Sequence, residues 1–166
     1  MSSLPLSDVL TPDGDTWVAL TDEVLSPGMI HDWAVRPDCG AVALFSGTVR
    51  DHAEHRTGVT ELEYEAYAEE VEPRLHQIVD AARDRWPDLG RVALIHRIGL
   101  LGLGDVSVVV AVSSPHRPEA FEAARFGIDT LKATIPIWKR EIWEGGEDWG
   151  LASQDIQDVP RSSQDA

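Results

Sequence analysis

Cysteine is nearly absent: the 166 residues hold one, Cys39. A single thiol cannot close an internal disulfide, and it excludes a multi-cysteine zinc site. Long hydrophobic runs are also missing, and no stretch approaches the ~20 apolar residues that span a bilayer. The opening residues, Met1 to Asp8, show neither the basic start nor the apolar stretch of a secretory signal, so a cytoplasmic location is expected. Positive charge is scarce. Lys plus Arg number 14 against 29 Asp plus Glu, a formal net charge of −15. Binding to nucleic acid is not expected, because phosphate neutralisation needs a concentrated basic face.

Lysine is scarcer still. Of the 14 cations only Lys132 and Lys139 are lysines, and they stand seven residues apart. A compact amine can be neutralised by burial and act as base or nucleophile, which a guanidinium cannot. Codon bias with chance clustering would leave the same pattern.

What remains is the composition of a globular domain, 43% hydrophobic and 26% charged. Residues 1–166 read as a single domain, with a core over about 17–149 and polar tails at 1–15 and 151–166. Short strands are expected at 16–20 and 40–49, with a helix from the Ser26-Pro27 cap to about Val35. Residues 50–59 read as a polar loop, and 60–67 alternate with the period of a half-wet strand. Val71, Leu75, Ile78, Val79 and Ala82 recur at helical spacing over Glu69 to Trp86. Apolar strands follow at 91–98 and 106–112, joined by a turn over Gly99 to Asp105. A second long helix starts at Pro118, with Phe121, Ala124, Ile128 and Leu131 on its apolar face, and Pro136 breaks it. Ile137 to Trp143 closes the set as the final strand. This order predicts an α+β fold with a mixed or antiparallel sheet and two main helices.

Chemistry concentrates in few places. His116 and Arg117 stand where an apolar strand turns into a helix, whose free N–H groups and dipole favour an anion; a plain structural turn fits the same residues. Lys132 lies near the end of that helix. On the next strand, period-two alternation puts Lys139 and Glu141 on one face and Arg140 on the other. The carboxylate can orient the amine or shuttle its proton, unless the two are an ordinary surface pair. Arg50 follows a buried strand at its C-terminal mouth. The segment Asp51-His52-Ala-Glu-His55 reads as a solvated loop and not as a metal site, since so short a loop cannot converge its ligands on one ion. Gly99 to Gly104 lacks the P-loop lysine and the dinucleotide spacing, so it reads as a turn, and with no metal-ligand set elsewhere no cofactor is expected. His96 and Arg97 end a buried strand and read as structural.

The blocks at 40–50, Leu94-Ile-His-Arg-Ile-Gly99, Ser114-Pro-His-Arg117 and Ile128-Asp-Thr-Leu-Lys-Ala-Thr-Ile-Pro-Ile-Trp-Lys-Arg-Glu141 closely resemble the large, catalytic subunit of molybdopterin synthase, the MoaE family. The likeness runs from about Trp17 to Trp149. It implies an α/β-hammerhead fold and a homodimer, joined into a heterotetramer by two copies of a small ubiquitin-like sulfur-carrier subunit. The carrier's Gly-Gly C-terminus would bring a thiocarboxylate, and the reaction implied is two sulfur transfers to cyclic pyranopterin monophosphate. By the same resemblance Lys132 and Lys139 match catalytic lysines, and Arg50, His116, Arg117, Arg140 and Glu141 match substrate- and anion-contacting positions. The family often has a basic residue just after the Trp that corresponds to Trp149, reaching the neighbouring subunit's site; here Gly-Leu-Ala-Ser follows. The alternative is a non-catalytic anion-binding or scaffold protein that kept the fold and carrier interface; it would tolerate loss of either lysine.

Overall fold

The computed structural model describes residues 11–149 and 157–160, so most of both expected tails lies outside the described residues. The chain runs β1 (Thr16–Thr21), α1 (Pro27–Ala34), β2 (Ala41–Thr48), β3 (His52–Ala53), β4 (Arg56–Thr57), β5 (Val59–Ala66) and α2 (Ala68–Arg85). It continues with β6 (Val92–Arg97), β7 (Gly99–Gly102), β8 (Val106–Ser114), α3 (Arg117–Thr134), β9 (Ile137–Trp143) and β10 (Gly146–Trp149). Two four-stranded sheets result, ordered β1-β6-β8-β2 and β10-β9-β5-β7, with β3 and β4 forming a small hairpin of their own. β1 and β6 are parallel, and the other pairings are antiparallel. The α+β class with a mixed sheet and two long helices is as the sequence predicts. No helix among the described residues is long and apolar enough to cross a membrane.

The first sheet explains why β6 and β8 are apolar at almost every position: both its faces are covered. Leu94, Val108, Val110 and Val112 face α2 and α3, in a cluster with Leu75, Ile78, Val79 and Leu131. Ala93, Ile95, Val109 and Ala111 face α1 and meet Trp17, Ile30 and Ala34. α1 starts where expected, with Ser26 Oγ accepting the Met29 N–H at 3.3 Å and Pro27 in its first turn. α2 begins one residue earlier than expected, which leaves Pro73 inside the helix, past its first turn.

Three expectations are corrected. The Gly99–Asp105 turn contains a strand, β7, because its Leu101 pairs with Leu62 of β5 and is fully buried; Gly99, at φ 92°, makes the corner from one sheet into the other. Ile137–Trp143 is not the last strand, since Glu144 and Gly145 form a two-residue turn into β10, with Gly145 at φ 101°. Phe121 is exposed, and α3 instead buries Ala120, Ala123, Ala124, Gly127, Thr130, Leu131 and Thr134. The reason is close approach. A Cβ on Gly127 would lie 3.2 Å from Val110 and 3.3 Å from Leu94, so around this position the helix meets the sheet through small residues, with Leu131 the large side chain it buries further along.

The ends of the described chain are tied down. Asp15 takes hydrogen bonds from Arg36 and Arg91 on its carboxylate and from Arg83 on its carbonyl. The Gln157 N–H donates to the Ala133 carbonyl at 3.0 Å, and Val159 packs against the main core.

Candidate functional site

A cavity of about 220 Å³ opens between the two sheets. Its walls come from the end of β2, the β3–β4 hairpin, β5, the start of β8, the last turn of α3, and β9. Lys132, Lys139, Glu141 and Arg50 all line it. Two of these placements follow from local structure. Lys132 occupies the last turn of α3, whose carbonyl end is held by Arg74 donating to the Thr134 carbonyl at 2.9 Å. Lys139 and Glu141 share one face of β9, opposite Tyr64 and Leu62 of β5.

The electrostatics are uneven. Lys132 is reachable through the cavity mouth, yet protein crowds its amine, and this desolvation together with the charge of Lys139 lowers its pKa. Lys139 Nζ lies 3.8 Å from Glu141 Oε1, and Glu141 is itself buried. Arg50 Nε donates to the His52 carbonyl at 2.8 Å, which fixes the arginine against the hairpin. Behind the cavity, His96 is buried; burial and then the Lys132 charge push its pKa down to about 4, against the opposing pull of the Arg97 carbonyl. Its Nδ1 lies 2.7 Å from that carbonyl, so Nδ1 carries the proton of the neutral ring. The Tyr64 ring meets the His96 ring edge to face at 5.1 Å.

The other anticipated residues lie elsewhere. His116 and Arg117 stand at the start of α3 and Lys132 near its end, fifteen residues or about 22 Å along the axis, and neither lines the cavity. Arg140 points to the opposite face of β9, where it pairs with Glu63 and, at 2.8 Å, with Glu147. Sequence reasoning missed Tyr64, Ser107 and His52 as cavity walls. The alternation of 60–67 marked Tyr64 as facing inward, but nothing in the sequence tells that its inner face opens on a cavity.

A buried-edge cavity with two amines, a guanidinium and one carboxylate, and no group of three or more metal-ligating side chains among the described residues, defines a site for an anionic guest. Residues 20–134 match the family model described as MoaE protein. The molybdopterin synthase catalytic subunit of Taeniopygia guttata is 44% identical over 133 residues, 80% of this chain and 85% of the relative. That of Thermoplasma volcanium is 45% identical over 132 residues, 80% of this chain and 95% of the relative. The crystal structure of molybdopterin synthase from Staphylococcus aureus superposes with a TM-score of 0.74 at 37% identity, covering 79% of this chain and 94% of that one. The chain belongs to the MoaE family.

Proposed function

We propose that this chain is the catalytic subunit of a molybdopterin synthase, transferring sulfur from the C-terminal thiocarboxylate of a small ubiquitin-like carrier to cyclic pyranopterin monophosphate. The observation that carries the reading is the convergence of its two lysines, with Arg50 and Glu141, in one cavity. The carrier's tail and the substrate phosphate are both anions, and in a chain of charge −15 this cavity offers them concentrated positive charge. A Gly-Gly tail is slender enough to enter a space of about 220 Å³. Once the anionic sulfur has bonded to the substrate carbon, water cleaves the carrier's acyl–sulfur bond to leave the plain carboxylate, and Lys132, biased towards its neutral amine, accepts the proton that this water releases. Lys139, ion-paired with Glu141, supplies charge against the oxygens that depart.

The chain's own sulfur does not compete for this role. Cys39 packs near Ser113, about 20 Å along β8 from the cavity wall at Ser107, and burial raises its thiol pKa. The sulfur is therefore the partner's, and no metal or organic cofactor enters the reading. His116 and Arg117 join the same site only from a second copy of the chain, which fits a homodimer flanked by two carriers. The whole chain acts as one domain in the cytoplasm. Incubating it with thiocarboxylated carrier and cyclic pyranopterin monophosphate is expected to yield molybdopterin, with carrier mass falling to that of the plain carboxylate. A carrier that binds and keeps its sulfur indefinitely favours the scaffold alternative.

A further inference from the structure

Arg56 touches several parts of this site at once and belongs to none of the motifs above. It sits on β4, and its guanidinium carbon lies 3.4 Å from the centroid of the Trp143 ring. Its Nε stands 3.4 Å from Glu141 Oε2, and its Nη2 stands 3.4 Å from Asp148 Oδ2. The other oxygen of Glu141 faces Lys139 Nζ at 3.8 Å. Glu141 is only 7% exposed, so water does little to screen it, and its charge is divided between two cations. Arg56 Nε is buried without a hydrogen bond and Nη2 donates one to Asp148 Oδ2, so the stack on Trp143, that bond and the charge of the two carboxylates hold the guanidinium.

We propose that Arg56 is a positioning residue for Lys139: clamped on Trp143, it holds Glu141 in place and takes part of its charge. The Lys139 amine is thereby left free to turn towards an anion in the cavity. The clamp also anchors the β3–β4 hairpin, whose His52 carbonyl accepts the Arg50 Nε–H, so one residue organises both cationic walls. The catalytic significance of this arrangement rests on the sulfur-transfer reading, but its electrostatics do not.

The groups facing Glu141 and Lys139 are Arg56 from β4, Asp148 from β10, Lys132 from α3, Arg50 and His52 from the cavity rim, and Tyr64 from β5. Among the described residues, only Arg56 and Lys139 form ion pairs with Glu141. Removing the Arg56 charge leaves Glu141 to Lys139 alone, which draws the amine onto the carboxylate and away from the cavity.

The test uses the fact that the chain has two lysines. Labelling lysine with ¹³C at Cε gives two resonances, and Lys139→Arg assigns them. In Arg56→Gln the Lys139 signal is expected to move from its position in the unsubstituted chain at neutral pH, as the amine is drawn onto Glu141, and turnover to fall about tenfold. Arg56→Lys, which restores the charge, returns the signal towards its position in the unsubstituted chain. A Lys139 signal unmoved in Arg56→Gln overturns the proposal. If that variant does not fold, Trp143→Leu removes the stacking platform while keeping every charge, and an unmoved Lys139 signal there overturns it equally. A chain whose Lys139 signal moves in Arg56→Gln but which makes no molybdopterin leaves the clamp standing and refutes the sulfur-transfer reading instead.

Discussion

Arg117 and Lys132 stand at opposite ends of α3, about 22 Å apart along its axis, and only Lys132 lines the cavity. If one reaction uses both, each site draws its lysine from one protomer and its arginine from another. This makes a numerical prediction for mixed variants. Lys132→Ala and Arg117→Ala are each expected to form homodimers with two defective sites, losing about a hundredfold and about tenfold in rate respectively. A heterodimer of the two has one site with both lesions and one with neither. Random mixing makes about half of all dimers heterodimers, so recovered activity approaches about a quarter of wild type. The assay is molybdopterin formation after co-expression of the two variants, or after their separation and reassociation at equal amounts. A mixture no more active than the mean of its two parents refutes the shared-site geometry.

Two further predictions concern stability. His96 titrates at about 4 when folded, against an ordinary value of 6.5, so the unfolded chain takes up the proton first as pH falls. The stability that neutral His96 contributes is therefore lost between about pH 6.5 and pH 4, by roughly 3 kcal/mol, and this contribution changes no further below that. His96→Gln should flatten this part of the curve; urea midpoints measured across the window check it, and an equally steep slope in the variant contradicts it. Leu101 has no exposed surface, so Leu101→Ala is expected to cost about 2–5 kcal/mol in urea unfolding, although its segment reads as a glycine-rich turn. A cost below 1 kcal/mol would mean that β7 contributes little to the second sheet.

The frame was legible wherever a segment's own pattern decides its environment. β6 and β8 are nearly continuous apolar runs because α1 covers one face of their sheet and α2 and α3 cover the other. The faces of β9 also followed from alternation, which set Lys139 and Glu141 together and Arg140 apart. What stayed hidden depends on partners distant in sequence. β7 is a strand because β5 is beside it, and a run with three glycines over 99–104 does not announce that partner. Apart from Leu131, the buried face of α3 is made of small residues, since Leu94 and Val110 already fill the space, and so counting large apolar residues pointed at Phe121. In the site, the family resemblance puts His116 and Arg117 to work with Lys132, and within one chain the length of α3 separates them. Arg56 was invisible for the converse reason: its contacts, Glu141, Trp143 and Asp148, lie more than 80 residues on.

The central claim is that Lys132 works through an amine able to give up its proton inside the cavity. Single-turnover sulfur transfer by Lys132→Arg, with carrier already thiocarboxylated, tests it most directly, because arginine keeps the charge and cannot deprotonate. The account predicts that this variant binds the carrier and transfers sulfur no faster than Lys132→Ala. Transfer by Lys132→Arg at a rate near that of the unsubstituted chain would contradict it.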